Sequence, residues 1–156
     1  MLIAKTNQTS ICKMISFHFP DKPISEELKN QISDFLVREL GKFGDPKEDV
    51  MKCLAYVFGQ TTPGGFVILA LEESEIRGAL VMNKTGMSGY IPENILVYIA
   101  VESSLRGSGI GRKLMDLAIE KSEGAIALHM EAENPARKLY ERLGFTNKYL
   151  EMRLAK

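Results

Sequence analysis

A run of uninterrupted apolar residues, "ILVYIAV" (residues 95–101), is followed within a few positions by an arginine and three alternating glycines, "RGSGIGRKL" (residues 106–114). This constrains the fold more than any other stretch. The run is short and rich in β-branched residues, so it predicts a buried strand. The residues from Gly109 onward place Ile110, Leu114, Leu117 and Ala118 on one face of a helix ending near Ser122. The chain therefore passes from strand to helix through a glycine-rich turn. A helix N-terminus offers unbonded N–H groups and partial positive charge, and glycines let that backbone approach a phosphate closely. Arg106 adds a planar donor fork suited to phosphate oxygens. The stretch predicts a phosphate cradle; its plainer alternative is a tight connection and nothing more.

Two well-known cradles fit poorly. A dinucleotide fingerprint, G-x-G-x-x-G, needs glycine where Arg112 stands, and the chain after Glu131 is too short for a second doubly wound half. A P-loop needs Gly-Lys-Ser/Thr at its end, which is missing.

The remaining pattern predicts one domain over residues 1–156. A loosely alternating strand is expected at 11–19, followed by Ser25 as N-cap of an amphipathic helix over 26–43. Asp45 and Pro46 are the expected cap and first position of a second helix, with Glu48 reaching back and Val50, Leu54, Val57 and Phe58 buried. Strands at 66–73 and 76–83 form a hairpin, and a Gly/Pro-punctuated loop leads to the strand at 95–101. After the helix at 109–122 come a strand at 125–131, a short helix from Asn134 and Pro135 to Leu143, and a last strand at 146–156. The order βααβββαβαβ predicts an α/β fold, a mixed sheet with helices packed on it.

Composition narrows the function. Lys plus Arg and Asp plus Glu both number 20, so net charge is zero, and no basic excess favours nucleic acid or an anionic membrane. The two cysteines, Cys12 and Cys53, and the two histidines, His18 and His129, show no metal-ligand spacing, so no metal site is expected. No signal-peptide pattern and no apolar run long enough for a membrane span are present, which makes the cytoplasm the expected location.

"IAVESSLRGSGIGRKLM" and "ENPARKLYERLGF" together resemble the two cofactor motifs of the GNAT superfamily of N-acetyltransferases. In the first, Arg106, Gly109 and Gly111 match R/Q-x-x-G-x-G/A behind a strand; in the second, Leu139, Tyr140, Gly144 and Phe145 match L-Y-x-x-x-G-F. The resemblance implies acetyl-CoA as co-substrate and a primary amine as acceptor, on a small molecule, a peptide N-terminus or a lysine. It further implies that the backbone of Ile99, Ala100 and Val101 pairs with the pantetheine arm. Gly107, Ser108, Gly109, Ile110, Gly111 and Arg112, with Arg106, would wrap the pyrophosphate. Tyr140 would be the general acid and also touch the cofactor. Glu131 would be a catalytic carboxylate, with Glu93 and Tyr98 as further candidates; His129 is expected to be structural. The family asparagine lies seven residues before the tyrosine, where this chain has Glu133. Asn134 either takes that contact from a shortened loop or serves only as a cap. A homodimer would be in keeping with the family. A non-catalytic acyl-CoA-binding domain is the alternative function.

Overall fold

The structure, a computed structural model, describes residues 14–156. Residues 11–13 of the expected first strand, and Cys12, lie outside the described residues. The elements are β1 (Met14–His18), α1 (Glu26–Leu40), α2 (Lys47–Val57), β2 (Gly65–Glu72), β3 (Glu75–Lys84), β4 (Asn94–Val101), α3 (Ile110–Lys121), β5 (Ile126–Leu128) and α4 (Arg137–Arg142).

The strands lie side by side in chain order in one mixed sheet. β1 to β4 are antiparallel, and β5 runs parallel to β4. β2 is apolar at every position from Phe66 to Leu71 because both of its faces are covered. Val67 and Leu69 pack with Ile32, Phe35 and Leu36 of α1 and Val50, Leu54 and Val57 of α2. Phe66, Ile68 and Ala70 pack on the opposite face with Ile110, Leu114, Met115 and Ala118 of α3 and Tyr140 of α4. Full burial of one such side chain is worth about 1.5–3 kcal/mol, so these two layers dominate the stability.

Local chemistry sets most helix ends. Ser25 caps α1 as expected, its Oγ accepting from the Leu28 amide at 3.1 Å. α1 stops at Leu40, with a single 3₁₀ turn at Gly41–Phe43 where the longer helix was expected. α2 starts one residue later than expected. Pro46 occupies the cap position, and no side chain caps the helix. α4 likewise begins late, at Arg137, because Asn134 Oδ1 takes the Ala136 amide at 2.9 Å in a turn of its own.

β4 carries the feature that shapes the rest. Its pairing with β3 slips between Val81 and Met82, so Tyr98 faces Val81 and Leu96 faces Met82, and Val97 is the extra residue of a bulge. The bulge reverses which face each later residue takes. Leu96 joins the α3 side, whereas Tyr98 and Ala100 join the α1–α2 side. Pairing with β5 ends at the same point, at Leu96 opposite Leu128. The strand expected over 125–131 is therefore only three residues long, and the two strands part beyond it.

The C-terminal strand expected at 146–156 does not form. Its alternating apolar residues are exposed, Leu150 at 87% and Met152 at 94%. The short β5 offers no edge long enough to pair them.

At the closed end of β4, buried Asn94 donates its side-chain amide to the carbonyls of Glu123 (2.7 Å) and Ala125 (3.2 Å). The neighbouring Glu93 carboxylate accepts from the amides of Ala125 (2.7 Å) and Gly89 (3.3 Å). These bonds hold its pKa below the usual glutamate range, the Ala125 amide contributing most. A lowered folded pKa gives stability that is present above the ordinary value near 4.5 and lost as pH falls through the folded value. Glu93→Gln should therefore lower the melting temperature at pH 7, and the gap to the parent should close as pH falls below about 4.5. Melting curves across that range check it.

Candidate functional site

Beyond the bulge the outer edge of β4, from Val97 to Val101, has no strand beside it, and a cleft of about 820 Å³ opens there. One wall is the β4 edge. The others come from the start of α3, from the loop around Glu131 and Asn134 with Tyr140 of α4, from Glu39, Phe43 and Asp45 at the end of α1 and just after it, and from Glu151 and Arg153 near the C-terminus. Ile99, Ala100, Val101, Arg106, Gly107, Gly109, Ile110, Gly111, Arg112, Glu131, Asn134 and Tyr140, all expected site residues, line this one cleft. Ser108 lies in the same turn, its amide bonded to Leu105 O at 3.2 Å.

The glycine turn leaves the amides at the start of α3 without helical partners. Lys113 is the first α3 residue whose amide bonds back, to Gly109 O at 3.0 Å, and the amides at the helix start have no intrahelical carbonyl to meet. Gly107 and Gly109 have φ of 80° and 93°, conformations that side chains resist, and a Cβ at either would meet nothing within 4 Å. The space beside both is open. Gly111 differs: its φ is ordinary, and a Cβ would rest on Leu139 and Val101 at 3.5 and 3.6 Å.

The arginines stand elsewhere than a phosphate fork would. Arg106 Nη2 donates to the Glu39 carbonyl at 2.7 Å and lies 3.6 Å from its carboxylate, tying the turn to the end of α1. Glu39, with its side chain only 6% exposed, also accepts from the Ser103 amide at 2.8 Å. Arg112 is paired along α3 with Asp116 at 2.9 Å.

Tyr140 is 7% exposed, and its ring meets Phe145 edge-on at 5.9 Å. Its hydroxyl makes no hydrogen bond among the described residues, although it lines the cleft. Burial pushes its pKa up to about 12, so it stays protonated over the whole working range. The ring is buried, but the hydroxyl stays open to the cleft, where it can donate to a ligand. Glu131 is exposed beyond β5, where its carbonyl accepts the Asn134 amide at 3.0 Å. Asn134 keeps its side-chain N–H₂ free while its oxygen holds the Ala136 amide. His129, expected to be structural, is exposed and lines the cleft.

Of the further acid–base candidates, Glu93 belongs to the turn at the closed end of β4. Tyr98 lines the cleft, is largely buried, and donates to Asp45 Oδ2 at 2.6 Å. Burial first, and Asp45 second, raise its pKa. Asp45 and Glu39 are site residues that sequence reasoning missed, since the one looked like a helix cap and the other like a solvent-facing charge. Among the described residues no cluster of His, Cys, Asp or Glu could hold a metal ion.

Residues 63–147, more than half of the chain, match the model of the acetyltransferase (GNAT) domain. The chain belongs to the GNAT family. The match covers the hairpin, β4, the cradle and α4, the elements that build the cleft. A 5-NmdU N-acetyltransferase of Pseudomonas phage PaMx11 is 32% identical over 84 residues, which are 53% of this chain and 58% of that protein. Two solved GNAT-type structures share the fold. A ribosomal-protein-alanine N-acetyltransferase from Brucella melitensis biovar Abortus 2308 superposes with TM-score 0.60 at 17% identity, over 92% of this chain and 98% of its own. An aminoglycoside N-acetyltransferase solved with CoA superposes with TM-score 0.66 at 12% identity, over 92% and 95%. The single parallel strand pair of this GNAT domain also rules out the doubly wound sheet of the dinucleotide alternative.

Proposed function

We propose that the chain transfers an acetyl group from acetyl-CoA to a primary amine by direct attack. The observation that carries this reading is the Tyr140 hydroxyl, on a buried ring yet open to the cleft and without a hydrogen bond among the described residues, in the same cleft as the amides at the start of α3. A CoA-binding domain without catalysis would need the cradle but not that hydroxyl.

The residues fit the co-substrate. The amides of Gly109 to Arg112 suit its pyrophosphate, and the open β4 edge at Ile99 to Val101 offers main-chain partners to its pantetheine amides. Bound there, acetyl-CoA supplies an activated acyl group on a thiol leaving group. An alkyl amine with pKa about 10.4 is neutral to only about one part in a thousand at pH 7, so a base must take its proton. We assign this step to Glu131, which lines the cleft and is exposed, acting directly or through water. Tyr140 donates its proton to the departing sulfur. Of the two protons the ammonium loses, the first passes through Glu131 to solvent before attack. The second, leaving the attacking nitrogen, returns through water to Tyr140.

Two measurements test this reading. CoA and acetyl-CoA should raise the melting temperature more than NADH or ATP at equal concentration, because a ligand of the native state stabilises it by mass action. A larger shift with NADH would contradict the cradle assignment. Thiol release from acetyl-CoA should then depend on added primary amine, with lysine-like amines and the 5-NmdU of the phage relative's name in the panel. Tight CoA binding with no amine-dependent release would favour the binding domain.

A further inference from the structure

Asp45 is placed where local stability would not put it. Preceding Pro46 at the start of α2, it could cap the helix, which is worth about 1 kcal/mol. No side chain caps α2, and the Asp45 carboxylate reaches instead to the Tyr98 hydroxyl, 53 residues along the chain, at 2.6 Å. That is the length of a charge-assisted bond. Tyr98 is held by the α1–α2 core, and the bulge at Val97 turns it to that side. The carboxylate is thus fixed at the mouth of the cleft by a rigid partner. Its second oxygen, Oδ1, has no hydrogen-bond or ion-pair partner among the described residues. Glu39, the other carboxylate of that wall, is spent on Ser103 and Arg106. The cradle and Tyr140 lie on the α3 side of β4, so this wall is left for the acceptor.

We infer that Asp45, braced by Tyr98, is the residue that selects and seats a cationic acceptor amine. The inference rests on the acyl-transfer reading above and adds the charge of the substrate. In its ammonium form the acceptor donates to Oδ1 of the exposed Asp45 carboxylate, which is held in one place by the Tyr98 hydroxyl. Asp45 positions the amine; the proton still leaves to Glu131 or water.

The test is a calorimetric titration of benzylamine, with benzyl alcohol as the neutral isostere, into the protein with and without saturating CoA. The parent should bind benzylamine at least tenfold more tightly than the alcohol. Asp45→Asn keeps an oxygen for the Tyr98 hydroxyl and removes only the charge. It should abolish that preference while leaving CoA affinity and the melting temperature unchanged. Tyr98→Phe keeps the charge but frees the carboxylate, and should reduce the preference by a smaller factor. A parent with no preference for the amine, or an Asp45→Asn variant that retains it, overturns the inference. Failure of CoA to bind would instead overturn the acyl-transfer reading, and the titration without CoA would still decide for Asp45.

Discussion

Tyr140→Phe is expected to lower kcat about 10- to 100-fold while CoA affinity changes little. The substitution keeps the ring against Phe145 and the α3 side of the sheet, and deletes only a hydroxyl that makes no hydrogen bond among the described residues. The loss therefore falls on the chemical step. General acids typically contribute about 10²–10⁴-fold, and a thiolate is already a good leaving group, which places the effect at or below the low end. Stability should change little, because the hydroxyl is open to the cleft and makes no hydrogen bond among the described residues. Steady-state kinetics beside a melting curve separates the cases. A merely structural tyrosine would leave kcat unchanged.

The second large effect is expected at Gly109. A valine there must adopt φ near 93° and projects into the open cradle. Strain of about 1–3 kcal/mol should lower the melting temperature without unfolding a domain of ordinary stability. CoA affinity should fall at least tenfold, about 1.4 kcal/mol. Gly111→Ala is the matched control, since its methyl rests on Leu139 and Val101 at ordinary distances and should cost little affinity. Calorimetric titration of CoA into both variants checks the pair. Equal affinities would mean that the pyrophosphate does not lie on the Gly109 backbone.

What the sequence made legible was what local chemistry dictates. The apolar run of β4, the glycine turn and the Leu114 face of α3 lie where spacing alone puts them, and Ser25 caps α1 as its hydroxyl predicts. What was hidden depends on distant partners. Arg106 also bonds to Glu39, 67 residues away, a tie that nothing in the sequence marks. Asp45 looks like a cap until Tyr98 claims it. The bulge at Val97 leaves no mark in a run that is apolar throughout, yet it ends the β4–β5 pairing and opens the cleft. The same shortening of β5 explains why a clear alternating pattern at 146–156 has no edge to join.

The central claim is that one cleft both cradles CoA and presents its sulfur to Tyr140, and a crystal structure of the CoA complex tests it most directly. The pyrophosphate oxygens should lie within hydrogen-bond reach, about 3 Å, of the amides of Gly109 to Arg112. The pantetheine should run along the β4 edge at Ile99 to Val101, with the sulfur next to the Tyr140 hydroxyl. CoA bound with its pyrophosphate away from the α3 start, or with its sulfur out of reach of Tyr140, would contradict it.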